Sequence, residues 1–439
     1  MTPIDIGIIS VVVMLVLIYI GIHVPFVLAL TSFVGVWLIR GNFNVATQML
    51  TQAATQGIAD YIFGVVPLFV LMGMLVSAAD LGRDSYIVAN QLLRRFAGGL
   101  GIATVAANTV FAAITGVTIA SAAVFSRIAV PEMLKFGYNK RFAVGVVAGS
   151  SVLGMLIPPS VLLIVYALIA EQSVGAMFLA GIGPGLLLAF LFSAGIFIAA
   201  TFFPSWIIAD PGKAALIDAA EDLSIVELFR MIIPVITLVV AVLGGIYGGV
   251  FTPTEAGAVG AGMALIAALL KRRLTLKGLW AILIETGYIT ASILFIVISA
   301  TMYSRMLGIS GLPTQIGNLV THLDATYIVI LLVFIALALI LGTIIDSVSI
   351  ILITVPLFLP LLAPFDVNLV WFGIVAVLAT EIGLLTPPFG ISCFVVRSTL
   401  SDYGITLGDV FIGAFPFAVV MLLTVGLIIV FPSIVLFFV

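Results

Sequence analysis

Gly149-Ser-Ser-Val-Leu-Gly-Met-Leu-Ile-Pro-Pro-Ser160 is answered about 227 residues later by Ala379-Thr-Glu-Ile-Gly-Leu-Leu-Thr-Pro-Pro-Phe-Gly390. Each is an apolar, helix-like run that ends in Pro-Pro inside a membrane-length segment. Proline removes a backbone donor and clashes with the carbonyl one turn back, so a helix breaks there. Other landmarks keep nearly the same offset: Gly21 and Pro25 with Gly249 and Pro253 (249 − 21 = 228), Leu81 with Leu307 (226), Ser121 with Ser347 (226) and Pro158 with Pro387 (229). Two halves, each with a broken intramembrane helix, form the pattern of secondary transporters that hold solute and ion between the breaks.

Composition supports a membrane setting. Of 439 residues, 63% are hydrophobic and 8% charged, against roughly 25% charged in a soluble domain. Apolar stretches of about 20 residues fill the chain, as in a polytopic helical membrane protein. The net charge of −3 comes with no basic tract suited to nucleic acid. One cysteine excludes an internal disulfide, and His23 and His322 lie far apart, against a Cys/His metal site. No Gly-rich loop ending in Gly-Lys-Ser/Thr is present to cradle ATP. The first apolar run, near residues 6–22, reads as a span and not a cleaved leader, since no Lys or Arg precedes it.

Basic residues cluster at Arg94-Arg95, Lys140-Arg141 and Lys271-Arg272-Arg273 with Lys277. The positive-inside rule makes these loops cytoplasmic. Shifted by the repeat offset, their partner segments lack such clusters, so the halves are expected upside down relative to each other. The expected fold is an all-α polytopic membrane protein. It is an inverted repeat of five spans plus one re-entrant hairpin per half, with one broken helix in each. Spans are expected near 5–22, 24–40, 58–80, 142–171 and 175–203, then near 231–248, 251–270, 280–304, 369–398 and 408–435. Hairpins are expected at 98–135 and 326–362. Residues 1–203 form the first repeat, 204–230 a cytoplasmic connector with an amphipathic helix over 213–229, and 231–439 the second repeat. Both termini face the periplasm. Trp37, Trp206, Trp280 and Trp371 fall near span ends, where an aromatic belt would place them.

Non-helical backbone at membrane depth is tolerated only where protein buries it or where it lines a cavity. Freed carbonyls and Ser or Thr hydroxyls are hard oxygen ligands for a small cation. Helix starts after a break suit a carboxylate. The bland reading is helix packing, where Ser, Thr, Gly and kinking Pro are common; matched positions in both halves favour function. Asp346 is either a cation ligand or the cap of the helix starting at Ser347. Glu381 faces either scaffold or site. Glu255 reads as a helix cap, Glu171 and Arg397 as interfacial anchors, and Arg127 as a residue reaching the cytoplasmic edge.

Leu153-Gly-Met-Leu-Ile-Pro-Pro-Ser160, Ala180-Gly-Ile-Gly-Pro-Gly185, Gly244-Gly-Ile-Tyr-Gly-Gly-Val-Phe-Thr-Pro-Thr-Glu-Ala256 and Glu381-Ile-Gly-Leu-Leu-Thr-Pro-Pro388 resemble the large membrane subunit of tripartite ATP-independent periplasmic (TRAP) transporters. The resemblance covers essentially the whole chain, whose length fits a large subunit with no small subunit fused to it. It implies an elevator-type, sodium-driven importer of carboxylates in the bacterial inner membrane. A periplasmic binding protein would deliver the solute, and a small four-span membrane subunit would brace the scaffold. Carried onto this chain, the sodium sites fall on Thr115, Gly116, Ser121, Ser150, Ser151 and Gly154, and on Gly342, Thr343, Asp346, Ser347, Gly383 and Thr386. Thr118, Pro158, Ser160, Ser349 and Pro387 are the candidates for the solute, which could be a C4-dicarboxylate or a sugar acid such as a sialic acid. The scaffold is expected over about 5–57 and 231–279, the moving domain over 58–203 and 280–435. Loops 41–52, 305–325 and 363–368 are expected to meet the binding protein.

Three rivals remain at this stage. A self-sufficient sodium/carboxylate exchanger would need no binding protein. A membrane-embedded enzyme would use Asp346, Glu381 or Asp60 as acid/base groups, but the chain offers few titratable groups in its core. A passive channel would conduct without saturating.

Overall fold

A computed structural model describes residues 1–59, 61–214, 223–322 and 326–439. The described chain is helical throughout, without a named strand. Six helices are long and apolar enough to cross a membrane, or up to eight if each bent pair counts as one span. Shorter apolar helices, Pro3–Tyr19, Val24–Arg40 and Leu369–Gly383 among them, occupy the remaining expected spans. Asp80 adopts a left-handed conformation (φ 59°), and the helices on either side of it, Val65–Ala78 and Leu81–Leu93, meet at 62°.

Both expected hairpins are present. The first joins Gly99–Thr115 to Thr118–Lys135, and the second joins Tyr327–Gly342 to Ser347–Leu362. Each is followed by a broken span. Lys140–Leu156 and Val161–Ile169 meet at 43° across Pro158-Pro159, and Leu369–Gly383 gives way to Ile391–Thr399 after Pro387-Pro388. Both Pro-Pro bonds are cis. Phe142 to Ser151 and Val370 to Gly383 are buried without interruption, as suits helices apolar all round.

Packing is exchanged between the halves in matching pairs. Val65–Ala78 lies on Pro253–Leu270, as Leu276–Ser310 lies on Val24–Arg40. Leu407–Val430 runs along Lys140–Ser151, as Val174–Phe202 runs along Leu369–Gly383. Val161–Ile169 meets the second arm of the second hairpin, and Ile391–Thr399 meets the second arm of the first. Neither half covers its own broken span alone, so the core belongs to both.

Five local expectations change. The loop expected at 41–52 is part of a helix, Phe43–Ala59. Its low hydropathy hides a buried stripe that includes Ala46 and Ala53. Trp371 is not a belt residue: it is 4% exposed and its indole N–H donates to Ile428 O at 3.0 Å. The connector ends earlier than Arg230. Ser224 and Glu227 form a capping box that starts Ile225–Val239, so the polar stretch runs directly into the span. Of the amphipathic helix expected over 213–229, residues 215–222 lie outside the described residues, and the flanking pieces belong to separate helices. The stretch 305–325 is largely helical, with Leu312–His322 following a turn at Gly311 (φ 73°); residues 323–325 lie outside the described residues.

Candidate functional site

Each hairpin tip is hydrogen-bonded to the Pro-Pro break of its own half. Val161 N–H donates to Gly116 O at 3.2 Å, and Phe389 N–H donates to Thr343 O at 3.1 Å. These bonds keep the repeat offset (389 − 161 = 228; 343 − 116 = 227). Glycines permit the close approach. A Cβ on Gly154 would stand 3.0 Å from the Val117 carbonyl carbon, and one on Gly342 would stand 2.6 Å from Gly383 Cα. Gly116 ends the first arm at φ 65° against the Pro159 carbonyl, a conformation only glycine adopts freely.

The tips fix the repeat register. Thr118 and Ser347 each open a second hairpin arm (347 − 118 = 229), and Val117 matches Asp346 as the cap position. The pairing of Ser121 with Ser347 expected from sequence is therefore wrong. Two residues separate the arms of the first hairpin and four separate those of the second, and that insertion moves the offset.

Glu381 joins the two tips. It is 1% exposed. Thr118 Oγ1 donates to its Oε2 at 2.8 Å, and Ser347 Oγ donates to its Oε1 at 2.7 Å. A buried carboxylate is costly unless such donors satisfy it. Asp346 caps Ser347–Leu362: Oδ1 accepts from Ser349 N–H at 3.0 Å and Oδ2 from the Ser349 hydroxyl at 2.6 Å. The capping alternative is thus realised, and the same carboxylate also borders a cavity.

That cavity, of about 410 Å³, lies between the tips, the broken spans and Leu276–Ser310. Thr118, Asp346 and Ser347 supply its polar end at the tips, Tyr288 and Ser292 line it from Leu276–Ser310, and Met155, Leu384 and Ile293 are among its apolar walls. Other candidates sit around it in two groups. In the first half, Ser150 Oγ accepts from Asn108 Nδ2 at 2.7 Å, while Ser151 and Thr115 donate to Ala148 O and Phe111 O. Ser121 Oγ and Asn108 Oδ1 are buried without a hydrogen-bond partner. In the second half, Thr343 and Thr386 donate to Ile340 O and Gly383 O. Ser160 caps Val161–Ile169 through Leu163 N–H at 3.3 Å, and Ser349 is turned to Asp346. Pro158 and Pro387 shape the breaks.

Asn108 was not singled out by sequence; its one signal is an amide inside an apolar run. Glu255 forms a capping box with Thr252. Glu171, Arg127 and Arg397 are exposed, outside the site. Asp60 lies outside the described residues.

The comparisons agree with this architecture. A family model described as "Tripartite ATP-independent periplasmic transporter, DctM component" matches residues 11–434. The chain is 33% identical over 373 residues to a Pseudomonas aeruginosa C4-dicarboxylate TRAP transporter large permease protein, covering 84% of each. It is 31% identical over 418 residues to the Vibrio cholerae sialic acid TRAP transporter large permease protein, covering 95% of this chain and 94% of that one. It is also 31% identical over 426 residues to an ectoine/5-hydroxyectoine TRAP transporter large permease protein of Ruegeria pomeroyi, covering 97% and 96%. The crystal structure of the Alcanivorax borkumensis YdaH transporter shares the fold at 14% identity, with a TM-score of 0.57 over 89% of this chain and 90% of that one.

Proposed function

Because this chain belongs to the DctM component family of tripartite ATP-independent periplasmic transporters, we propose that it is the large permease subunit of a sodium-driven importer of a carboxylate-bearing solute. The observation that carries the reading is the pair of hairpin tips, each clasped to a Pro-Pro break, around one cavity. About 410 Å³ suits a small solute. The relatives' named solutes (C4-dicarboxylates, sialic acid and ectoine) bound the class without choosing within it.

Sodium binds beside the tips. Ser121 Oγ and Asn108 Oδ1, buried without partners, are hard oxygen donors of the kind a small cation takes. In the second half, Thr343, Thr386 and carbonyls freed near Gly342 and Gly383 serve the same end. Sodium orders the tips, and the solute carboxylate then meets backbone N–H groups at the start of Thr118–Lys135, which has no side-chain cap.

The hairpins and broken spans move as the transport domain. Val65–Ala78 and Leu276–Ser310 pack closely on Pro253–Leu270 and Val24–Arg40. That packing favours placing them with the scaffold, although the sequence alone grouped them with the moving part. The basic clusters face the cytoplasm, the halves are inverted, and both termini are periplasmic in the inner membrane. A small membrane subunit holds the scaffold, and a periplasmic binding protein delivers solute. Each sodium charge crossing 100 mV adds about 2.3 kcal/mol of driving force.

The test is uptake of radiolabelled carboxylates into proteoliposomes holding this chain and the small subunit, with and without binding protein and an inward sodium gradient. Uptake that needs both supports the reading. Uptake without the binding protein replaces it with a self-sufficient exchanger.

A further inference from the structure

We infer that Glu381 decides which hydrogen-bonding face the cavity shows its solute: it makes Thr118 and Ser347 acceptors, so the site favours carboxylates that also carry hydroxyl or ammonium donors over bare ones. This rests on the solute occupying that cavity, as proposed above.

A hydroxyl has one hydrogen to donate and two lone pairs, whereas a carboxylate only accepts. Thr118 Oγ1 is 2.8 Å from Glu381 Oε2, and Ser347 Oγ is 2.7 Å from Oε1. Both hydroxyl hydrogens are therefore committed to Glu381. What these side chains offer any other neighbour is lone pairs. Asp346, the third polar group at this end, is also an acceptor, and its carboxylate takes the N–H and hydroxyl of Ser349. No Lys or Arg stands among the described lining residues. At the tips a solute carboxylate finds only backbone donors, and the side-chain donors of the lining, Tyr288 and Ser292, stand on the facing helix Leu276–Ser310; a solute hydroxyl or ammonium finds three side-chain acceptors at the tips.

The device is built once. Glu381 corresponds in the first half to Val152 (381 − 152 = 229), so one carboxylate serves both tips. It acts through Thr118 and Ser347, which makes it a positioning residue for specificity. A bare acid would leave acceptors unmatched in a dry site, and sites built around a hydrogen bond discriminate strongly against analogues that lack the group.

The experiment is thermal-shift titration of the full chain in nanodiscs, with sodium present, using acids matched in skeleton. Succinate, malate and tartrate carry none, one and two hydroxyls; butyrate pairs with 4-aminobutyrate, and hexanoate with gluconate. At least one donor-bearing acid should bind on the order of tenfold or more tighter than its bare counterpart. In Glu381→Gln the amide donates to one hydroxyl, whose hydrogen then turns to the cavity, and the preference should fall by on the order of tenfold. Thr118→Val and Ser347→Ala each remove one acceptor and should lower the same ratio, which keeps the test open if Glu381→Gln does not fold. Loss of packing alone would weaken all acids alike and leave the ratio unchanged. Equal binding of matched pairs by the wild type, or an unchanged ratio in the folded variants, overturns the inference while leaving transport intact. If no acid in the panel binds, the placement of solute in this cavity fails, and the inference fails with it.

Discussion

Gly342→Ala tests the docking of the second hairpin on its broken span. The added methyl would stand 2.6 Å from Gly383 Cα and 3.1 Å from Thr380 O. Both neighbours are backbone, so no side chain can swing away. Restoring ordinary contact, roughly 3.5–4 Å between carbons, requires the two helices to part by about 1 Å. Overpacking of this kind costs about 1–3 kcal/mol, and sometimes more. The converse, Gly383→Ala, meets Gly342 Cα at 2.5 Å and competes for the same gap. The double variant should therefore cost less than the sum of the two, as for residues in direct contact. Gly426→Ala is the control, since a Cβ there has nothing within 4 Å. It should be neutral or stabilising by about 0.5–1 kcal/mol, the usual gain over glycine inside a helix. Two readouts apply: denaturant unfolding of the purified protein, and the sodium concentration giving half-maximal uptake in proteoliposomes. A loss of about 1.4 kcal/mol in tip docking corresponds to a tenfold rise in that concentration. If Gly342→Ala unfolds within about 0.5 kcal/mol of Gly426→Ala, and its sodium dependence matches the wild type, the hairpin is not seated as described.

Further predictions bear on stability and topology. Thr252→Ala breaks the capping box by removing the hydroxyl that accepts from Glu255 N–H at 3.3 Å and donates to the Glu255 carboxylate at 2.8 Å. It should cost about 1 kcal/mol in unfolding and leave the half-saturating solute concentration unchanged in uptake assays. Asp409→Asn removes a 5% exposed carboxylate held by Lys140 at 2.9 Å and Arg141 at 3.0 Å. Because both cations are about half exposed, solvent screens the pairs and the unfolding cost should be about 1 kcal/mol, shrinking in high salt. Asn44 and Arg272 occupy matching repeat positions (272 − 44 = 228) and both are exposed. Cysteines introduced there on a Cys393→Ala background should react with an impermeant maleimide from opposite membrane faces, Asn44→Cys from outside and Arg272→Cys from inside. Labelling of both from one face would refute the inversion.

The repeat was legible because Pro-Pro is a local signal: it breaks a helix wherever it falls, and two breaks at one offset need no tertiary information. Glycine and proline landmarks behaved likewise. What failed to show depends on partners. Phe43–Ala59 looked like a loop because its Thr and Gln residues outweigh a narrow buried stripe. Trp371 sits near a span end, yet position along a helix does not say which way a side chain faces. Its indole is turned inward to Ile428 O. Glu381 was visible as an odd acid in an apolar run, but its partners lie 263 and 34 residues away. Asn108 was hidden in the same way: its partner Ser150 is 42 residues on.

Three differences between the halves fall at the hairpin tips and at the residue that joins them, and their place has a physical reason. Exchanged packing requires each half to present surfaces that fit the other. A change in one broken span would have to be answered in the helix of the other half that covers it, and close-packed interiors resist such changes. The tips carry less of that constraint. The second has two more residues than the first, and Asp346 stands where the first has Val117. Glu381 stands where the first half has Val152. All three differences fall within the group of residues that borders the cavity or hydrogen-bonds to its lining. For a solute without two-fold symmetry, a site built between two tips discriminates better when the tips are unequal than when they are equivalent. The one carboxylate that binds both tips does this while keeping them joined: it imposes the same acceptor role on Thr118 and Ser347, and leaves Asp346 to distinguish the second tip from the first.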